Sequence, residues 1–340
     1  MTRRRIMGLD SLRGIAALSV VLFHYTTRFG ETFGHPVEPL FNFSQGFRGV
    51  DLFFMISGFV IFMTLDNTET ARDFVVSRFS RLFPTFWASV LLTYGVVMVF
   101  GLPGKAVTLN DLVLNFTMIP GLLKAEPVDG TYWTLEIELI FYGLMLMLFM
   151  ANGLRKIHWV LGVWLVVRLI EHALVSSGMH VSYLAGHLLL LPHIALFGAG
   201  MMLYCLYRGS DLRSESYWLL AACILVIAIV DGPAALPIPL AGSIMIMAIS
   251  HRELAIFRNP VILFFGTISY PLYLLHENIG FVILRGCYRW GMHSNIAIVL
   301  AFLAVVALSS AVTFWVERPA MQAIRQWYKR RSTPPANQRK

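Results

Sequence analysis

The chain is a succession of apolar runs, each about long enough to cross a bilayer. A spanning helix needs roughly 20 mostly apolar residues to cover a hydrocarbon core of about 30 Å. Ten such runs are read at 11–29, 47–65, 83–101, 132–151, 157–175, 186–206, 216–231, 235–250, 261–284 and 295–317. Lipid offers the backbone no hydrogen bonds, so segments of this kind are helical. The expected fold class is all-α, a polytopic membrane protein of about ten transmembrane helices. Composition agrees, with 57% hydrophobic and 14% charged residues where soluble domains carry about 25% charged. The seventh and eighth runs are the least secure, because DGPAALPIP cuts them into two short halves. Re-entrant segments are the alternative there.

The net charge of +8 fits basic residues kept on cytoplasmic loops better than a nucleic-acid partner. With both termini cytoplasmic, Arg28, Arg48, Lys105, Lys124, Arg285 and Arg289 are the outer cations. Arg168 lies within a span, and every other Lys and Arg falls inside. The N-terminal basic stretch and apolar run resemble a signal peptide, but no small-residue cleavage site follows, so an uncleaved first span is expected. Residues 1–320 form the membrane domain, and 321–340 a basic cytoplasmic tail ending disordered in STPPANQRK. Between 102 and 131 the stretch LVLNFTMIPGLL is expected to lie along the membrane surface. Cys205, Cys223 and Cys287 are isolated and suggest neither a disulfide framework nor a metal site.

Ionisable side chains inside spans cost several kcal/mol and mark interiors or water-filled paths. In SLRGIAALSVVLFHY, Arg13 and His24 are eleven residues apart. On a helix that is roughly 16 Å of rise and about 20° past three full turns, so both lie on one face. Arg13 falls at the inner rim and His24 in the outer half. Asp51 begins the second span, Glu136 and Glu138 the fourth, and His276 and Glu277 arrive at a similar depth through the ninth. Glu136 and Glu138 lie about 200° apart around a helix, so only one of them faces a shared site. Arg78 and Arg81, three apart in SRFSRLFP, share a face at the cytoplasmic mouth. Each has a plainer reading: Arg78 and Arg81 as topological anchors, Asp51 as a partner of Arg48, Glu317 as a partner of Arg318 or the tail. A cationic entrance with acid and base groups further out fits a pathway or an active site.

These stretches resemble the membrane-bound acyltransferase-3 family, the integral membrane acyltransferases that O-acylate bacterial glycans and other exported molecules. GLDSLRGIAALSVVLFH, GVDLFFMISGFVI, SRFSRLFPTFW, WTLEIELIFY, ISYPLYLLH and WVERP match the family's motifs in order across essentially the whole chain. The W-[ST]-L-x-x-E-x-x-F-Y pattern makes Glu138 the motif carboxylate and Glu136 a variable position. Leu139 stands where many members have a second acidic residue, a departure that bears on the acceptor. The hydrolase-like domain of some relatives does not appear in this sequence.

The resemblance implies a multi-pass protein of the bacterial cytoplasmic (inner) membrane, with acyl-CoA, most often acetyl-CoA, as donor and no metal. The acceptor is a hydroxyl on an extracytoplasmic or lipid-linked glycan, and a homodimer is compatible with this reading. Arg13, Arg78 and Arg81 would hold the donor phosphates, since the guanidinium fork pairs with phosphate in a bidentate manner. His24 is the expected general base, with Asp51 or Glu138 orienting its ring and His276 assisting the acceptor or an oxyanion. An acyl-histidine relay stays open. The alternatives are a proton-coupled transporter, or an acetyl-group translocator that feeds a separate transferase.

Overall fold

The structure is a computed structural model that describes residues 6–209, 211–251 and 255–332. Arg3, Arg4, Arg5, Arg252, Arg339 and Lys340 lie outside the described residues, as does the end of the tail from Thr333. The described residues are helical and contain no strand. In chain order the α-helices are α1 (Met7–Phe23), α2 (Phe29–Phe33), α3 (Gly49–Asp66), α4 (Ala71–Phe100) and α5 (Leu109–Asn115). Then come α6 (Trp133–Met150), α7 (Ile157–Ser176), α8 (Tyr183–Leu188), α9 (Ile194–Arg208) and α10 (Arg213–Val230). The last five are α11 (Pro237–His251), α12 (Pro260–Leu275), α13 (Glu277–Arg289), α14 (Ser294–Val312) and α15 (Arg318–Ser332).

Seven helical stretches among the described residues are long and apolar enough to cross a membrane: Met7–Phe33, Ser44–Asp66, Ala71–Phe100, Gly130–Met150, Gly153–Ser176, Arg213–Val230 and Ser294–Arg331. Three shorter apolar helices, Ile194–Arg208, Pro233–Ile249 and Pro260–Leu275, fall on the other three expected runs. The expected run 186–206 is broken, because α8 and α9 are separated by a turn in which Leu190 takes φ +55°. The ninth run is likewise two helices meeting at His276. The basic tail continues as helix to Ser332, and the end expected to be disordered, STPPANQRK, lies outside the described residues from Thr333 on.

The chain divides into two compact units. The first holds the chain up to His24 together with Phe43–Asn67 and Thr134–Ser269. The second holds Tyr25–Asn42, Thr68–Trp133 and the chain from Tyr270. Lipid tails are as apolar as leucine, so helices in a membrane associate through close packing rather than the hydrophobic effect. In the first unit small residues supply that contact. A Cβ on Gly200 would collide with the Met55 carbonyl of α3, and one on Gly58 with the Phe197 carbonyl of α9. Phe141 of α6 stacks on Phe197 at 4.1 Å and 19°.

In the second unit, α4 is started by the Thr70 side chain accepting the Asp73 amide, an N-cap that satisfies one of the orphan donors of the first turn. α15 is tied to α4 where the Tyr328 hydroxyl donates to Asp73 Oδ1 at 2.9 Å and Arg325 Nε donates to Ser80 Oγ at 3.2 Å. The connection after α4 carries α5, closed by a capping box between Thr108 and Asp111. α5 exposes Leu109 and Val113 while burying Leu112, the pattern expected of a helix lying along a surface.

Candidate active site

Arg13, His24, Asp51 and Glu138 belong to the first unit; Arg78, Arg81 and His276 belong to the second. From Arg13 to Phe23 the backbone is uninterrupted α-helix, and His24 follows as the first residue of a π-helical turn, His24–Arg28. The spacing read from sequence therefore holds as helical rise, and both side chains are half-buried. π-turns recur at functional sites, and the chain has a second at Thr313–Glu317, on the closing WVERP motif.

The His24 ring has a defined tautomer. Its Nδ1 lies 2.9 Å from the Val20 carbonyl, which can only accept a hydrogen bond. In the neutral ring Nδ1 therefore carries the proton, and the lone pair sits on Nε2. His276 is fixed in the same way, with Nδ1 2.9 Å from the Tyr273 carbonyl and 3.2 Å from that of Leu272. Its ring is fully buried.

The two carboxylates expected to orient His24 have other partners. Asp51 lies 3.6 Å from Arg48, one helical turn back. Glu138 Oε1 accepts two hydroxyls, Ser57 from α3 and Tyr142 from its own helix, each at 2.5 Å. This clasp gives a physical reason for three motif residues to travel together. A serine in GVDLFFMISGF, the glutamate of WTLEIE and a tyrosine one turn beyond it share one oxygen atom. The clasp ties α6 to α3 in the unit that carries His24. His24 Nδ1 is itself hydrogen-bonded to the backbone of α1, at the Val20 carbonyl.

The cationic residues are also partnered. Arg13 lies 3.5 Å from Asp10 on its own helix. Arg81 lies 4.0 Å from Glu317, which joins the R-x-x-R element to WVERP, where Arg318 or the tail was the expected partner of Glu317. At 4.0 Å, with Arg81 31% exposed, this pair is loose enough to yield to a multiply charged anion. Arg78 lies over the Phe74 ring at 5.9 Å and donates to Ser77 Oγ at 3.2 Å.

Asp129 was not reached from sequence, nor were the partners of Glu136 and Glu277. Glu136, read there as a variable position, is buried and bonded to His187 Nε2 at 2.7 Å. Asp129 is fully buried ahead of α6 and accepts from the Thr131 amide and hydroxyl and from the Asn278 amide. Burial pushes its carboxyl above the ordinary carboxylate range, against those hydrogen bonds, which favour the charged form. Glu277, read only for its depth, lies 3.7 Å from Lys105 and against Gly130, where a Cβ would come within 2.7 Å of its Oε1. An aspartate followed by glycine signals a turn in sequence, but nothing local reveals a partner 149 residues away. Among the described residues, no group of three or more His, Cys, Asp and Glu is placed to hold a metal ion.

Comparison with known proteins places this geometry in context. Residues 6–316 match the acyltransferase-3 family, described as an acyltransferase domain. A putative acetyltransferase, ORF330 of Acidianus two-tailed virus, is 25% identical over 79% of this chain and 81% of its own length. The exopolysaccharide production protein ExoZ of Rhizobium meliloti is 27% identical over 83% of this chain and 91% of its own. The O-acetyltransferase OatA of Staphylococcus aureus is 27% identical over 41% of this chain but only 24% of its own length. No solved structure matches the chain.

Proposed function

The chain belongs to the acyltransferase-3 family of membrane acyltransferases, and on that premise we propose that it is an acyl-CoA-dependent O-acetyltransferase of extracytoplasmic or lipid-linked glycans. In this reading the ten runs are spans, both termini are cytoplasmic, and the protein resides in the bacterial inner membrane. Acetyl-CoA enters from the cytoplasm, and the glycan hydroxyl is presented from the outer side.

The observation that carries the reading is the His24 ring. With Nδ1–H held by the Val20 carbonyl, Nε2 can accept the proton of the glycan hydroxyl while the hydroxyl oxygen attacks the thioester carbonyl. The carbon–sulfur bond breaks as the oxygen–carbon bond forms, and the imidazolium returns its proton to the departing thiolate. The products are the acetylated glycan and CoA. Imidazole has the pKa range for both transfers near neutral pH. Arg13, Arg78 and Arg81 are assigned to the donor's phosphates, and the rise of roughly 16 Å from Arg13 to His24 matches an extended pantetheine arm. The Arg81–Glu317 pair, being loose, leaves that guanidinium open to exchange partners. His276 is assigned to the acceptor, its Nε2 lone pair fixed by the same tautomer argument.

The test uses purified full-length protein in nanodiscs, acetyl-CoA labelled in the acetyl group, and a lipid-linked oligosaccharide fraction from bacterial membranes. Label appearing in the glycan only when acceptor and protein are both present supports direct transfer. Label that stays on the protein, or crosses the membrane without acceptor modification, contradicts it and favours the translocator.

A further inference from the structure

The second unit contains a cleft of about 490 Å³ that the acyl-transfer reading does not use. Its walls come from two helices with residues one turn apart. Phe29 and Phe33 project from α2, and Arg285, Tyr288 and Arg289 from α13. Gly34 ends α2 at φ +77°, a conformation that favours glycine, and the chain reverses so that His35 closes the third side. The floor is aromatic, with Phe29 5.7 Å from Tyr288 and 5.1 Å from His35. The Tyr288 hydroxyl and His35 Nδ1 are 2.8 Å apart.

The charge in this cleft is unbalanced. Arg13, Arg28, Arg48, Arg81, Arg168 and Arg208 each pair with a carboxylate. Among the described residues Arg285 and Arg289 pair with none, and Arg285 instead lies 5.1 Å over the Phe33 ring. Burial holds His35 below the ordinary histidine range, opposed by the nearby Glu38. At neutral pH the positive charge of the cleft therefore belongs to the two arginines. Trp290, beside Arg289, is 84% exposed, and tryptophan is a residue type enriched at the headgroup level of membrane proteins.

We propose that this cleft is a binding subsite for a phosphate-bearing saccharide at the membrane surface, with phosphate on Arg285 and Arg289 and a sugar ring against Phe33 and Tyr288. Guanidinium forks match phosphate oxygens, and the floor offers the apolar surface that the C–H face of a sugar covers. As the docking point of the acceptor, the subsite rests on the proposed glycan acyltransferase activity and on the outer placement of Arg285 and Arg289. The phosphate has two candidate sources, a sugar phosphate ester and a phospholipid headgroup, and the experiment separates them.

Full-length protein in phosphatidylcholine nanodiscs is titrated with glucose 1-phosphate and with glucose, following saturation transfer to the sugar ring protons by NMR. Glucose 1-phosphate should bind at least about tenfold more tightly than glucose. R285Q/R289Q should remove that preference while keeping CoA affinity, which verifies the fold, and R285K/R289K should restore part of it. Equal binding of both sugars by the wild type, or an unchanged preference in R285Q/R289Q, overturns the proposal. So does loss of sugar binding when phosphatidylglycerol is added to the nanodisc, because the site would then be a headgroup site. Arginine-dependent sugar-phosphate binding by a protein that transfers no acetyl group upholds the subsite and overturns the activity instead.

Discussion

The clasp on Glu138 makes a quantitative prediction. Ser57 and Tyr142 are both 6% exposed, and both hydroxyls donate to Glu138 Oε1 at 2.5 Å. A hydrogen bond to a charged group contributes about 1.5–3 kcal/mol, and a neutral one about 0.5–1.5 kcal/mol. Glu138→Ala leaves two buried donors without an acceptor and should cost about 3–6 kcal/mol. Glu138→Gln keeps an amide oxygen with two lone pairs and should cost about 2–3 kcal/mol, while Ser57→Ala removes one bond for about 1.5–3 kcal/mol. Because both side chains share one oxygen, the Ser57→Ala and Glu138→Ala losses should not add, and a double-mutant cycle should return a coupling of about 1–3 kcal/mol. Thermal unfolding of the five proteins (wild type, the three single variants and Ser57→Ala/Glu138→Ala) in one detergent gives the ranking, and the cycle gives the coupling. Additive losses, or Glu138→Gln as damaging as Glu138→Ala, would refute the shared-acceptor reasoning.

Other consequences follow from individual contacts. Gly200→Ala drives a methyl group into the Met55 carbonyl and should cost about 1–3 kcal/mol; a wild-type melting temperature would contradict the close α3–α9 packing. Replacing Arg78 and Arg81 together with glutamine should weaken CoA binding at least about tenfold in a protein that melts near wild type, and unchanged affinity removes them from the donor site. The native Asp129 carboxyl holds its proton at pH values where an unfolded aspartate, with pKa about 3.9, has lost it. Its contribution to stability should therefore be greatest at acid pH and decline as pH rises from that value toward the native one. Asp129→Asn should flatten that part of the curve of melting temperature against pH, and an identical slope in both proteins would contradict the assigned cause.

What the sequence revealed was what depends on helical period and on the cost of placing charge in lipid. The register of Arg13 with His24 needs only an unbroken helix between them, and α1 supplies it. Depth brought out Asp51, one of Glu136 and Glu138, and His276 as residues of interest, and only the family motif singled out Glu138. Their partners could not be read this way, because they depend on which helices pack together. Ser57 lies 81 residues from Glu138, Glu136 lies 51 from His187, and Asp129 lies 149 from Asn278. The break between α8 and α9 was hidden for a different reason. Leu190 carries no turn signal of its own, since its positive φ is imposed by the surrounding packing rather than by glycine or asparagine chemistry. The helical extension to Ser332 was hidden by charge, because a basic, polar segment reads as solvated chain until Arg325 and Tyr328 are seen to bond back to α4.

The central claim is that His24 Nε2 is the base for acyl transfer, and it is tested most directly by His24→Gln. Acceptor-dependent transfer from labelled acetyl-CoA and the dissociation constant for CoA are measured on the same nanodisc preparation. Loss of a general base should lower the transfer rate by about 10²–10⁴-fold while CoA affinity stays within about twofold of wild type. Transfer within tenfold of the wild-type rate, at unchanged CoA affinity, would contradict the assignment.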